Sequence, residues 1–453
     1  MGRQLFGTDG IRGVAGQYPL DERTVYAAGV ALGEWAVGIH GSGTEIVIGM
    51  DTRESGTWIA AQVAGGVQRG GARVRFAGLI TTPGVAYLTR SRDFVAGVMI
   101  SASHNPYQDN GIKVFDHSGY KLPDEQEHRI EERIFALLET GLEPGPAPIE
   151  VDEGLDAAYI DFLAATFPTR LDGMKLVLDC ANGAAARLAP ELFQRLGAAV
   201  IATGNQPDGR NINLNCGALH VDSLRQRVLA EGADAGIAFD GDADRCIMIS
   251  SAGRTIDGDC MLLLAADSFL RKDRLRDSNG ELTVVATVMS NYGLEAALKM
   301  RGVQLIRAAV GDKYVLEEMI RRGAHIGGEQ SGHVIFRDYA TTGDGMLTAL
   351  RVLEVVRETG QSLDALTEDL KIYPQILVNV RIRQKRPIDD IASVQEQINA
   401  AITDFGGAGR VVVRFSGTEP LARVMVEGPD DTRVKHFARC IAQALETELG
   451  AAR

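Results

Sequence analysis

The chain has 453 residues, 45% hydrophobic and 24% charged, with a formal net charge of −13 at pH 7. That length exceeds what one hydrophobic core holds and predicts several domains. The acidic balance argues against general nucleic-acid or membrane-surface binding, so an anionic substrate has to be held by a local cationic cluster.

The first residues, MGRQLFGTDGIRG, lack the apolar core of a signal peptide, and no apolar run is long enough to span a bilayer. A cytoplasmic location is expected. Strand-like runs then alternate with helical patterns, the rhythm of α/β layers. EIVIGM (45–50), RVRFAGLI (73–80) and FVAGVMI (94–100) read as strands. The last leads directly into SASHNPYQDNGIK, where Ser103 follows the strand end. Ligands of open α/β sheets sit beyond the carboxyl ends of such strands. The competing reading is a surface turn built on Asn105–Pro106 and Asn110–Gly111. GLEPGPAPIE (141–150) is the clearest break in the first half.

A second unit runs through KLVLDC (175–180), AAVIAT (198–203) and DAGIAFD (234–240). It ends in FDGDADR, which places Asp240, Asp242 and Asp244 on alternate positions. Three carboxylates this close raise one another's pKa unless a cation sits among them, and hard oxygen ligands suit Mg²⁺ or Ca²⁺. Gly241 and Ala243 are small enough for a tight turn, and Arg245 adds a cation suited to phosphate. The alternative is a solvated acidic turn.

A third unit carries LTVVATV (282–288), VQLIRA (303–308) and AHIGG (324–328), followed by GGEQSGH (327–333). Glu329 with Ser331 suits adjacent sugar hydroxyls; His333 contacts a ligand or packs. In TTGDG (341–345) a helix N-cap is expected before a helix starting near Met346. From Pro374 the pattern changes: ILVNVRI, a helix over 388–404, RVVVRF, ARVMVEG and a helix over 431–448 make a small α+β unit. Between its last two strands, Ser416, Gly417 and Thr418 offer hydroxyls and backbone N–H groups, and Arg414 and Arg423 bring forks suited to phosphate oxygens. A plain hairpin with surface arginines is the rival reading. The five cysteines (Cys180, Cys216, Cys246, Cys260 and Cys440) form no Cys-x-x-Cys pair and read as reduced and structural.

SASHNP, FDGDADR, GEQSGH and RFSGTEP occur in the order found in the α-D-phosphohexomutases, which the chain resembles over nearly its whole length. LFGTDGIRG, GEQSGH followed by TTGDG, and SGTEPLARVMVEG favour the branch acting on amino sugars. The resemblance implies three similar mixed-sheet, three-layer α/β domains (1–150, 151–257 and 258–371) and a smaller, mobile C-terminal α+β domain (372–453) around a central cleft. It implies interconversion of glucosamine 6-phosphate and glucosamine 1-phosphate, through a phosphoserine at Ser103 and a sugar 1,6-bisphosphate, on the route to UDP-N-acetylglucosamine and the cell wall.

The implied roles follow residue by residue. Mg²⁺ is held by Asp240, Asp242, Asp244 and an oxygen on Ser103. His104 lines the site, and Lys113 serves proton transfer or phosphate neutralisation, with Arg12 as a further candidate. Arg245 and Lys313 add positive charge, and Glu329, Ser331 and His333 meet the sugar. Arg414, Ser416, Gly417, Thr418, Glu419 and Arg423 grip the phosphate that is not being transferred. The implied partner is a hexosamine phosphate, with no nucleic acid or membrane, and a homodimer is one option for the assembly.

Two departures stand out: Ala243 replaces a glycine usual in the metal loop, and Phe415 stands where small or basic residues are commoner. Strand alternation predicts that Phe415 points away from the phosphate. The rivals are a phosphoglucomutase or phosphomannomutase of the same family, from which Gln330 in the sugar loop offers some distinction, a haloacid-dehalogenase-type phosphatase using an aspartate nucleophile, and a catalytically silent sugar-phosphate-binding protein.

Overall fold

The computed structural model describes residues 5–7, 9–416 and 420–450. The expected Gly417, Thr418 and Glu419 lie outside the described residues.

The first sheet has six strands in the order Phe6–Gly7, Gly10–Val14, Asp109–Asp116, Phe94–Ile100, Glu45–Met50, Arg73–Leu79. Glu45–Met50 pairs in parallel with both Arg73–Leu79 and Phe94–Ile100, whereas Asp109–Asp116 runs antiparallel to Phe94–Ile100. The second sheet, of five strands, repeats this logic: Ala235–Phe239 is parallel to Lys175–Asp179 and antiparallel to Cys246–Ser250. So does the third, of four strands, with Ile326–Gly328 parallel to the strand Thr283–Thr287 and antiparallel to Val334–Phe336. The architecture is the three mixed α/β sheets and one smaller α+β unit expected from the sequence.

The repeat has a consequence for position. Ser103, the 240–245 aspartates and Glu329 all sit in the hairpin where a parallel strand turns back as an antiparallel one. Fully apolar strands such as Ala235–Phe239 are buried along their whole length, so the polar residues are expelled to their carboxyl ends.

The largest hydrophobic core runs from one face of the first sheet through the second and third, joining Val47, Phe115, Tyr159, Phe239, Met261 and Leu353. Buried continuity of this kind holds three hairpins in fixed mutual geometry. A second cluster fills the opposite face of the first sheet, under the helices Glu22–His40 and Gly56–Arg69.

The C-terminal unit has its own core under a three-stranded antiparallel sheet, with Val424, Ile441 and Leu445 at its centre. Its junction with the third unit is polar: Arg410 donates to the carbonyls of Val288 and Ser290 at 2.8 and 2.6 Å, and Glu427 accepts from the Tyr292 amide at 2.8 Å. The helix expected over 388–404 is split into a short 3₁₀ turn, Ile388–Asp390, and the α-helix Ala392–Phe405. Pro387 starts the turn, and Ile391, at φ −104° and ψ 92°, interrupts helical geometry between the two pieces. Asp344 caps Gly345–Thr359 as expected, accepting from the Leu347 amide at 2.9 Å.

Candidate active site

Ser103 lies just past the strand Phe94–Ile100 with φ +52°. For a residue with a Cβ this left-handed geometry costs about 1–2 kcal/mol, and surrounding bonds must over-determine it. They do. The Ser103 amide donates to Ser101 Oγ at 2.9 Å, and Ser101 Oγ donates to Asp51 Oδ2 at 2.6 Å. Arg53, fully buried, pairs with Asp51 at 2.9 Å and donates to the carbonyls of Ser103, Asn105 and Asp109 at 2.9, 2.8 and 2.9 Å. Asn213 of the second domain donates to Ser103 O at 2.9 Å.

That loop rests on the aspartate hairpin. Gly241 permits the approach, because a Cβ there would meet Ser103 O at 2.5 Å. Ser103 Oγ donates to Asp240 Oδ2 at 2.8 Å. The carboxylates of Asp240, Asp242 and Asp244 are buried and offer oxygens that all lie within 4.8 Å of one another. Burial first, then Asp244 and Asp242, push the Asp240 carboxyl well above the usual range. Burial also opposes ionisation of Asp244, but His333, Lys113 and Arg245 outweigh it and hold that carboxyl low. Asp242 Oδ1 and Asp244 Oδ1 are buried without a hydrogen-bond donor. Clustered hard oxygens with orphaned lone pairs fit a divalent cation such as Mg²⁺. Ala243, which stands where a glycine is usual, takes the left-handed angle φ +55°.

Lys113 Nζ lies 2.7 Å from Asp242, 3.2 Å from Asp9 and 3.8 Å from Asp244. Burial disfavours its charge, but these carboxylates overcome it and raise its pKa, so it stands as a fixed positive charge. His104 differs: burial, Arg245 and Arg12 lower its pKa to about 4, leaving a neutral imidazole with Nδ1 3.3 Å from Ser103 Oγ.

Above these groups opens a cavity of about 720 Å³, whose lining includes Arg12, Ser103, His104, Arg245, Glu329 and His333. Glu329 Oε1 accepts from the Gly311 amide at 3.1 Å. His333 is buried; the Gly343 amide donates to its Nε2 at 3.0 Å, which places the ring hydrogen on Nδ1, facing Asp244 Oδ2 at 3.7 Å.

Residues 3–140, 157–253 and 257–373 match the phosphoglucomutase/phosphomannomutase alpha/beta/alpha domains I, II and III, and 377–444 match that family's C-terminal domain. The chain is 59% identical over 450 residues to the phosphoglucosamine mutase of Solibacter usitatus (strain Ellin6076), covering 99% of this chain and 100% of that one. It belongs to the phosphoglucosamine mutase branch of the α-D-phosphohexomutases. The phosphoglucosamine mutase of Koribacter versatilis (strain Ellin345) is 50% identical, with 99% of this chain and 98% of that one covered. Among solved structures, a phosphoglucomutase/phosphomannomutase family protein from Burkholderia thailandensis superposes with a TM-score of 0.79 at 24% identity, over 97% of each chain. Aspergillus fumigatus N-acetylphosphoglucosamine mutase, in complex with GlcNAc-6P and magnesium, gives 0.65 at 19% identity, over 98% of this chain and 96% of that one. These two likenesses establish the shared fold.

In this family member the cavity gathers Arg12, Ser103, His104, Asp244, Arg245, Glu329 and His333, with Asp240, Asp242 and Lys113 beneath it. Other expected residues lie elsewhere. Lys313 pairs with Asp124 and lines an adjoining cavity of about 400 Å³. Ser331 is exposed at the tip of its hairpin, and Gln330 donates to Asp257 Oδ2 at 3.3 Å at the junction of the second and third domains. Arg414 and Arg423 face each other in register across the C-terminal hairpin, away from the cavity lining. Ser416 is buried beside them, and its carbonyl accepts from Lys385 at 2.7 Å. Phe415 packs on the domain's core, as alternation predicts.

The sequence reading passed over Asp51 and Arg53, which hold the serine loop, and Thr82, whose hydroxyl donates to Asp242 Oδ2 at 2.5 Å. One signal was available: DTR (51–53) follows a buried strand directly, as SAS does. Asp9, Lys121 and Asp312 also escaped it.

Proposed function

We propose that Ser103 is the phosphoryl carrier of this mutase, and that its substrate pair is glucosamine 6-phosphate and glucosamine 1-phosphate. The observation that carries the reading is Ser103 Oγ at 2.8 Å from Asp240, in a cavity whose lining also includes Glu329. Phosphorylated Ser103 gives its phosphoryl group to the sugar's O1, breaking the Oγ–P bond and forming the 1,6-bisphosphate. The bisphosphate turns over, O6 returns its phosphoryl to Oγ, and glucosamine 1-phosphate leaves. Each transfer moves one proton between a sugar hydroxyl and Oγ. The neutral His104 Nδ1, 3.3 Å from Oγ, is placed to hold it. Lys113, already charged, serves neutralisation rather than proton transfer.

Asp240, Asp242 and Asp244 would hold the divalent cation, which when bound polarises the phosphoryl group and offsets its charge. Arg245, on the cavity wall, adds fixed positive charge there. Glu329 reads sugar hydroxyls in either orientation, and the Arg414–Arg423 hairpin grips the resting phosphate once the C-terminal domain closes. Closure excludes water, which would otherwise hydrolyse the phosphoserine. The described helices include none long and apolar enough to cross a membrane, and all five cysteines are free thiols, in keeping with a cytoplasmic enzyme.

The test compares kcat/KM on glucosamine 6-phosphate and glucose 6-phosphate with Mg²⁺, for the wild type and Ser103→Ala. The reading expects a strong preference for the amino sugar and no turnover by a folded Ser103→Ala. A ratio near unity would shift the substrate to hexose phosphates generally; substantial activity in Ser103→Ala would remove the serine from the chemistry.

A further inference from the structure

Lys121 lies in the connection between the strand Asp109–Asp116 and the helix Asp124–Glu139. Its ammonium sits 2.5 Å from Asp9 Oδ1 and 2.5 Å from Asp312 Oδ2. Both aspartates line the catalytic cavity; Lys121 does not, and instead lines the adjoining one. Asp9 belongs to the first domain, where it pairs with Arg12 and with Lys113, the lysine beneath Ser103. Asp312 belongs to the third domain and opens the helix Asp312–Arg322 directly after Gly311. Gly311 holds Glu329 through its amide and has φ +130°, an angle that a side chain there would resist.

We infer that Lys121 is a positioning residue for this reaction, joining the phosphoryl-transfer wall (Asp9, Arg12, Lys113) to the hydroxyl-reading wall (Gly311, Glu329). The inference rests on the reading that this cavity holds the sugar phosphate. One cation shared by two carboxylates from different domains keeps them together. Without it they repel across a poorly solvated gap, and the two walls part. A sugar phosphate has to touch both walls at once, so a small separation weakens its binding before it harms the chemistry at Ser103. Both carboxylates are held in their charged form, Asp9 mainly by Lys113 and Lys121 against burial and Asp312 mainly by Lys121 against burial.

The experiment measures KM, kcat and the rise in Tm on adding Mg²⁺ for the full-length wild type, Lys121→Met, Lys121→Arg, Asp312→Asn and the double variant Lys121→Met/Asp312→Asn. The substrate is whichever of glucosamine 6-phosphate or glucose 6-phosphate the wild type turns over. Lys121→Met is expected to raise KM at least tenfold, with kcat falling less than threefold and the Mg²⁺-induced rise in Tm unchanged. Lys121→Arg, whose fork can still bridge two carboxylates, should return KM to within threefold of wild type. The double variant should cost no more than Lys121→Met alone, because both changes break one bridge. A KM within twofold of wild type in Lys121→Met would overturn the inference, as would a loss confined to kcat in proportion to unfolded protein. Should Lys121→Met fail to fold, Asp312→Asn decides: its retained Oδ1 still accepts the Lys313 amide, and it must show the KM rise alone. Wild-type inactivity on both sugars would instead sink the reading of the site, and this inference with it.

Discussion

Ser103 Oγ and Asp240 Oδ2 are 2.8 Å apart, although 137 residues separate them in the chain. The serine of one sheet and the aspartates of the next thus form a single centre. Asp240→Asn keeps the shape and can still hydrogen-bond Ser103, but removes one of three negative charges. The Mg²⁺ concentration for half-maximal activity should rise at least tenfold and kcat fall about a hundredfold or more. Wild-type stabilisation by Mg²⁺, worth about 2.7 kcal/mol at a hundred times Kd, should largely vanish in a melting scan. An unchanged metal requirement would take Asp240 out of the metal site.

Arg53 is the second case. It is buried against Asp51 and satisfies carbonyls on the serine loop. Arg53→Met leaves Asp51 without its cation, and breaking a buried pair this way costs about 3–5 kcal/mol. Chemical denaturation should show that loss, and the folded fraction should turn over at least tenfold more slowly because Ser103 no longer keeps its left-handed geometry. Full specific activity in the folded variant would show that the loop holds itself.

Ala243 invites the opposite substitution. Its φ of +55° costs about 1–2 kcal/mol, which Ala243→Gly would relieve. Against that stand a lost buried methyl, about 0.8 kcal/mol, and the freer unfolded chain, about 0.4–1 kcal/mol. The terms nearly cancel, so stability should change by less than about 1 kcal/mol and kcat by less than about twofold. A much larger change would mean that the alanine methyl sets the metal loop's shape.

A pH dependence follows from Asp259, at the start of the helix Gly258–Arg271. Burial, with Asp257 beside it, pushes its carboxyl from 3.8 up to about 7. The folded chain therefore keeps a proton between pH 4 and 7 that the unfolded chain has released. Stability from this group is full below about pH 4 and declines as pH rises to 7. Asp259→Asn carries no such titration, so its Tm should exceed that of wild type at pH 8 and approach it near pH 4. Parallel Tm curves across that window would refute the assignment.

In the C-terminal hairpin, Arg414 stands opposite Arg423, and burial together with that neighbour's charge lowers its pKa. Two like charges held face to face suit an anion between them. Arg414→Ala should raise KM at least tenfold while kcat stays within threefold, and inorganic phosphate should compete less well. An unaffected KM would remove the hairpin from substrate binding.

Much of this protein was written locally. FVAGVMI, DAGIAFD and the apolar runs of the third unit declared themselves as buried strands, and buried strands must shed polar residues at their ends. Asp240, Asp242, Asp244 and Glu329 were therefore legible as candidate site residues from position and chemistry. Ser103 alone read equally well as part of a surface turn and was singled out only by the other loops and the family resemblance. That Ala243 stands where a glycine is usual was also legible, but its left-handed angle came only from the structure.

What the sequence left undetermined depended on which loops meet. That Ser103 touches Asp240, that Arg53 reaches in to hold the serine loop alongside Ser101, and that Lys113 is neutralised by Asp242 are contacts across 137, 50 and 129 residues. Lys313 shows the same limit from the other side: the family resemblance implied a place for it beside the transferring phosphoryl group, but it pairs with Asp124 of another domain. Local sequence sets which segments are apolar enough to become strands. Only packing three sheets on one continuous core sets the directions in which their polar ends face, and a charged side chain's partner is whatever that packing brings within a few ångströms.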